Sequence, residues 1–222
     1  MSLGLWRLTR NDVAIRVYDA LKRVGITGTR MEEYVADLGD PDVVAAYESR
    51  TLPAGVRATV VPATELDPSV RADFDDPEPG DFAVVAREGP ATGGVDGSPA
   101  EDAGDAGGGP REDRGPVVGY LFVSEREVYV DALETELTFD GAYVWRVFVD
   151  PEHRQRGIAT GLTARACRLA RERGHDTAHA LVALDNRPSQ WTFRACGFAP
   201  VREFAYYRVG GWTRRSVSPA DG

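Results

Sequence analysis

The amino-acid sequence predicts an α+β fold with a mixed, mostly antiparallel twisted sheet flanked by helices and an N-terminal helical extension. Two predicted strands in the second half of the chain are followed by helix, strand, helix and strand, an order typical of a mixed sheet. With 222 residues, 42% of them hydrophobic, the chain can bury one sizeable core. Three helical patterns before residue 55 predict the extension.

Residues 1–54 are predicted to pack on the core as helices. Apolar residues recur at helical spacing over residues 11–24, which predicts the first helix. Thr29 and Glu32 have the spacing of a capping box and predict a second helix ending near residue 39. Asp40 before Pro41 predicts the start of a third, through about residue 50.

Residues 55–212 are predicted to form the main domain, and residues 213–222 a flexible tail. The predicted strands cover residues 55–63, 81–86, 116–124, 127–137, 143–149, 177–184 and 201–209, and the predicted helices cover 157–173 and 188–196. Residues 88–115 are rich in Gly, Pro, Ala and Asp and lack aromatic residues. This composition predicts a disordered insertion between two strands, because it cannot bury enough surface to offset its ordering entropy.

The most informative stretch is VDPEHRQRGIATGL, residues 149–162, in which a strand gives way to a basic turn and then to a helix. A helix start leaves backbone N–H groups without partners and carries partial positive charge. Gly157 lets an anion approach the backbone, and Arg154 and Arg156 add positive charge. The turn is therefore predicted to hold a diphosphate, and an ordinary strand-to-helix turn is the alternative. Neither a Walker A loop nor a Gly-x-Gly-x-x-Gly dinucleotide fingerprint is present.

A second motif, LDNRPSQWTFRACGF, follows at residues 184–198. The pair of motifs resembles the GNAT superfamily of N-acetyltransferases, which use acetyl-coenzyme A. The resemblance extends over about residues 117–209, with a weaker fit back to residue 56. It implies transfer of an acetyl group from acetyl-coenzyme A, as a co-substrate and without a metal, to a primary amine of a small molecule or protein.

The resemblance also implies which residues hold the co-substrate. The backbone of β-strand residues next to the basic turn would pair with the pantetheine arm, the amides of the turn would bind the diphosphate, and Asn186 would contact the cofactor. The implied binding residues are Val147, Phe148, Val149, Arg154, Gln155, Arg156, Gly157, Ile158, Ala159, Thr160, Asn186 and Phe193. The acetyl carbonyl would lie at a split between the strands at 143–149 and 177–184.

The residues that move protons are less well defined by the sequence. Many family members place a tyrosine in the late helix to protonate the departing thiolate, but Phe193 occupies that position here. Tyr206 and Tyr207 on the final predicted strand are candidates for the acid, and departure of the thiolate without an acid is the alternative. Glu134 and Glu136 alternate with apolar residues on a predicted strand, so both are candidate bases. Solvated surface positions are the alternative for both glutamates, and Trp191 is expected to lie in the core.

The net charge of −9, with Lys22 the single lysine, resembles proteins of salt-loving organisms, although a GC-rich genome gives a similar bias. An acidic chain is a poor general binder of nucleic acid. No run is long enough to span a membrane and the N-terminus lacks a signal-peptide pattern, so a cytoplasmic protein is expected. A homodimer is possible.

Two other functions stay open: a non-catalytic acyl-coenzyme A-binding regulatory module, and a helix-turn-helix regulator at residues 18–38.

Overall fold

The computed structural model describes residues 26–71, 77–89 and 115–220. They form ten strands, three α-helices and three short 3-10 helices. The strands are β1 (Ile26–Asp37), β2 (Val56–Pro62), β3 (Phe82–Glu88), β4 (Val117–Ser124), β5 (Val128–Val130), β6 (Thr135–Leu137), β7 (Ala142–Val149), β8 (Thr177–Ala183), β9 (Ala199–Val209) and β10 (Trp212–Pro219). The helices are α1 (Pro41–Glu48), α2 (Ile158–Glu172) and α3 (Arg187–Ala195).

Eight strands form one sheet in the order β10-β9-β1-β8-β7-β4-β3-β2, and β5 and β6 form a separate hairpin. Strands β7 and β8 run parallel. The other paired strands of the described chain are antiparallel. The predicted α+β fold with a mixed, mostly antiparallel sheet is confirmed.

The prediction of a second N-terminal helix over residues 29–39 is wrong. These residues belong to β1, which lies inside the sheet between β8 and β9 rather than packing on it. The alternation of the strand buries Tyr34 and Ala36 on the helix-covered face, while the carboxylate of Glu33 is buried on the other. Cross-strand pairing on both edges outweighs the capping-box pattern. The helix-turn-helix interpretation fails with it.

Helix α1 confirms the third predicted helix, with Asp40 as the N-cap that accepts hydrogen bonds from the backbone N–H groups of Asp42 and Val43. The first predicted helix, at residues 11–24, lies outside the described residues. The core of the predicted insertion, residues 90–114, also lies outside them. Its flanks pair as β3 and β4, and the Glu88 N–H donates to the Pro116 carbonyl at 3.1 Å.

Two further predictions need correction. The strand predicted over residues 127–137 is the short hairpin β5–β6, with a turn over residues 131–134 in which Glu134 has a φ of 48°. The tail predicted to be flexible from residue 213 is strand β10 through Pro219, paired with β9 in unbroken register. Every residue of β10 is exposed. The segment therefore lacks the alternation of apolar and polar residues from which a strand is predicted.

One face of the sheet shares a hydrophobic core with all three helices. Ile158 and Leu162 attach α2 to this core and are 1% and 0% exposed. The hairpin β5–β6 covers part of the opposite face, where Leu133 packs with Phe204 and Tyr206. No helix of the described chain is both long enough and apolar enough to cross a bilayer.

Candidate active site

The sheet opens between β7 and β8, the strands that the sequence predicted to flank a split. Their ladder contains two register pairs, Ala142 with Ala178 and Tyr143 with His179. Farther along β7, Arg146 has a φ of 51° and the register against β4 shifts. Such a bulge bends a strand and interrupts pairing. The predicted split is therefore present, and the second half of β7 borders it.

The turn between β7 and α2 presents a row of backbone N–H groups. Gln155 and Gly157 have positive φ angles of 62° and 82°, so the chain reverses sharply before α2 begins. Within the described residues, none of the backbone N–H groups from residue 155 to 160 donates a hydrogen bond. With the positive end of the helix dipole, these amides form a site suited to an anion.

Gly157 is needed here for its conformation and for access. A Cβ built on Gly157 would have Thr160 Oγ1 as its nearest neighbour, 3.8 Å away, so no packing within the protein excludes a side chain. The φ of 82° nevertheless disfavours any L-residue. A larger side chain at this position would also stand between a ligand and the amides.

A cavity of about 760 Å³ connects the end of β7, the start of α2 and one side of α3. Eleven of the twelve residues that the sequence implied for co-substrate binding line it. They are Val147, Phe148, Val149, Arg154, Gln155, Gly157, Ile158, Ala159, Thr160, Asn186 and Phe193. Residues from three separate elements thus meet around one space large enough for an extended ligand.

Arg156 is the exception among the twelve. It does not line the cavity, and its Nη1 lies 3.5 Å from Glu88 Oε1. Arg154 is exposed, lines the cavity, and donates from Nε to the Val149 carbonyl at 3.2 Å. Of the two arginines in the turn, Arg154 is therefore the one placed to contact a bound anion.

Asn186 and Phe193 come from the second motif. Asn186 is the N-cap of α3, and its Oδ1 accepts a hydrogen bond from the Ser189 N–H at 3.3 Å. Phe193 is 4% exposed and packs edge-on against Phe198, with ring centroids 5.1 Å apart. The phenyl ring reaches the cavity wall but carries no proton to donate.

The structure separates the three candidate catalytic residues from this cavity, since none of them lines it. Tyr206 donates a hydrogen bond to Glu134 Oε2 at 2.5 Å, and Arg208 Nη1 lies 2.7 Å from Glu134 Oε1. The hydrogen bond to this carboxylate raises the pKa of Tyr206. Glu136 is exposed on β6. The prediction that Glu134 and Glu136 share one strand is wrong, because Glu134 lies in the turn before β6. Tyr207 points to the other face and is 40% exposed.

Sequence reasoning missed several cavity residues, chiefly His153 and Trp191. His153 Nε2 lies 3.1 Å from Glu88 Oε1, which ties the basic turn to β3. Trp191 was expected in the core but is 68% exposed. The spacing of Pro188, Trp191, Thr192 and Ala195 gave a signal, because residues three and four apart share one side of a helix.

A cluster of polar side chains around the buried carboxylate of Glu33 lies beside the base of the split. Glu33 is 1% exposed; its Oε1 is 2.9 Å from His179 Nδ1, and Arg202 Nε donates to its Oε2. Burial by itself raises the pKa of Glu33, but these two hydrogen bonds outweigh it and hold the pKa below its usual range. The cluster joins β1, β8 and β9, and so fixes β8 on one side of the opening.

Comparisons with known proteins place this geometry in a family. The model of the acetyltransferase (GNAT) family matches residues 59–198. An uncharacterized N-acetyltransferase of Streptomyces griseus is 36% identical over 76 residues, which are 34% of this chain and 18% of that protein. The chain therefore matches less than a fifth of the length of this curated relative. A Drosophila protein of known crystal structure resembles the fold, with a TM-score of 0.50 and 12% identity over 94% of this chain and 58% of its own. Because the family model matches more than half of the chain, the protein belongs to the GNAT family of acetyltransferases.

Proposed function

We propose that the protein transfers an acetyl group from acetyl-coenzyme A to a primary amine of a small molecule or protein. The observation that carries the proposal is the row of unengaged amides over residues 155–160, set in a cavity that continues to the split between β7 and β8. A diphosphate and a thioester belong to one molecule in acetyl-coenzyme A. A cavity with an anion site at one end and an open strand at the other suits that molecule.

Each part of acetyl-coenzyme A would contact a different part of the cavity. The amides of residues 155–160 would bind the diphosphate, with Arg154 adding charge from the side. The pantetheine arm would run along β7 and pair with backbone groups of Val147 and Val149, which line the cavity. The thioester would then lie at the split. A backbone N–H of Val147 or Phe148 would donate to the oxygen as it gains negative charge.

The transfer forms one bond and breaks another. The neutral amine nitrogen attacks the thioester carbon, the C–S bond breaks, and the sulfur leaves with the bonding electrons. Phe193 cannot protonate the sulfur, so we propose that it leaves as the thiolate, which a nearby water can protonate. The nitrogen loses its extra proton in the same sequence, and that proton needs an acceptor.

We propose Glu134 as the acceptor, acting through water and held by Tyr206. Leu181 on β8 packs against Phe204 and Tyr206, whereas Ala180 and Val182 pack in the core beneath the helices. The Glu134–Tyr206 pair therefore lies on the face of the sheet opposite to the helices. An amine that approaches the split from this face would meet the pair without crossing the coenzyme. The exposed Glu136 has no such partner within the described residues and is not included.

The second candidate function is an acyl-coenzyme A-binding module without turnover. Two observations favour it: Phe193 in place of a proton donor, and catalytic candidates that lie outside the cavity. The two functions make the same prediction for binding and opposite predictions for transfer.

Calorimetry with acetyl-coenzyme A at high salt, followed by acetylation assays over a panel of small amines and peptides, tests both. We expect binding, and release of free coenzyme A with at least one amine. Glu134→Gln should lower kcat about 100-fold, a typical contribution of a general base, while binding stays intact; Glu136→Gln is the matched comparison. Binding with no transfer would support the binding module, and no binding would refute both functions.

A further inference from the structure

Trp191 is the most exposed large hydrophobic side chain of the described residues, at 68%. It lies on α3 and lines the cavity together with Pro188, Thr192 and Ala195. These residues form one stripe along the helix. A single exposed hydrophobic side chain needs no explanation by itself. This indole, however, lines a cavity, and a ligand bound there would cover its ring.

The end of α3 packs against the first turn of α2, and Trp191 lines the same cavity as the anion site. Cys196, directly after α3, contacts the first turn of α2, with its Sγ 3.4 Å from the Thr160 carbonyl oxygen. Phe193, two positions from Trp191, faces inward and is 4% exposed. Trp191 therefore stands on the outer part of the cavity wall, away from the sheet, while the strand end of the cavity lies at Val147.

We propose that the indole of Trp191 stacks on the adenine ring of coenzyme A. The inference rests on the proposed function, because it takes the diphosphate to lie on the amides of residues 155–160. From that point the pantetheine arm leads inward along β7, so the adenosine must lead outward. Trp191 supplies a flat aromatic surface on that outer side. Stacking of a base on an aromatic side chain contributes about tenfold or more to affinity and depends little on hydrogen bonding.

Each part of the co-substrate would then be recognised by a different part of the protein. The amides recognise the diphosphate, the β7 backbone recognises the pantetheine amides, and Trp191 recognises the purine. Loss of the indole should therefore weaken only those ligands that carry the purine. This selectivity separates stacking from a general structural effect of the substitution.

Calorimetry with two ligands tests the proposal. Coenzyme A carries adenosine and 4′-phosphopantetheine does not. Trp191→Ala should weaken coenzyme A binding about tenfold and leave phosphopantetheine binding unchanged. Trp191→Phe should keep most of the affinity. Trp212→Ala is the matched control, since Trp212 is 56% exposed on β10 and does not line the cavity. It should change neither ligand.

A second measurement uses the wild-type protein and so does not depend on how a variant folds. Adenosine 3′,5′-bisphosphate should quench the tryptophan fluorescence of the wild-type protein, and phosphopantetheine should not. The stacking proposal is overturned if Trp191→Ala weakens both ligands equally or neither, or if the bisphosphate binds without quenching. Failure of the wild-type protein to bind coenzyme A at all would instead overturn the proposed function.

Discussion

Replacement of Gly157 by glutamate should abolish binding of acetyl-coenzyme A while leaving the fold intact. The substitution has two separable costs. The first is conformational: the φ of 82° lies in the left-handed region, where a side chain costs about 1 kcal/mol or more. No contact within the protein adds to this cost, because a Cβ would have its nearest neighbour 3.8 Å away.

The second cost is electrostatic and concerns only the ligand. A carboxylate held about 5 Å from a diphosphate charge repels it by about 3 kcal/mol at an effective dielectric constant of about 20. That energy corresponds to a loss of affinity of more than 100-fold. The added side chain would also block the amides of residues 155–160.

The assay compares Gly157→Glu with Gly174→Glu. Gly174 follows the other end of α2, has a φ of 87°, and would have no atom within 4 Å of an added Cβ. Both variants carry the same backbone strain, but Gly174→Glu also places a carboxylate at the negative end of the helix dipole, so it should lose at least as much thermal stability as Gly157→Glu, as measured by circular dichroism. Calorimetry should show lost binding only for Gly157→Glu. Binding retained by a folded Gly157→Glu protein would refute the assignment of the diphosphate to these amides.

Two further predictions concern buried groups. Glu33→Ala should lower the free energy of unfolding by about 1–3 kcal/mol at pH 7, because it leaves the buried His179 without its hydrogen-bond partner, whereas the half-exposed Arg202 can turn to solvent. The pKa of Glu33 is lower in the folded than in the unfolded protein. Its contribution to stability is therefore present above the unfolded pKa of about 4.3 and is lost as the pH falls through the folded pKa. A difference in Tm between wild type and Glu33→Ala that persists undiminished at pH 3 would contradict this. Burial raises the pKa of Cys196 to about 12 and also raises the pKa of Cys167. Neither thiol should therefore react with Ellman's reagent at pH 8 until guanidinium unfolds the chain. Rapid reaction of the native protein would show that the cysteines are accessible.

Local sequence signals predicted the parts of the site that depend on adjacent residues. The strand, basic turn and helix over residues 144–172 were predicted because Gly157, the flanking arginines and the helical spacing of Ile158 and Leu162 are all local features. The cavity lining follows from the same stretch plus the second motif at Asn186. The sequence also predicts that the Arg156 side chain adds charge at the site, but the direction of a side chain after a turn is not a local property, and this one lies beside Glu88 instead.

The sequence by itself determined the fold class, the acetyltransferase family and the strand, turn and helix at which we propose that an anion binds. Tertiary structure alone decided that β1 lies in the middle of the sheet, since its Thr29–Glu32 pattern favours a helix until β8 and β9 supply partners on both edges. It also decided that Glu134 meets Tyr206 across 72 residues, that Glu33 is buried against His179 and Arg202, and that Trp191 faces the cavity. Helix starts and turns are fixed by neighbours in the chain, whereas strand pairing and buried charge depend on residues far away in sequence, whose contacts form only when the whole sheet assembles.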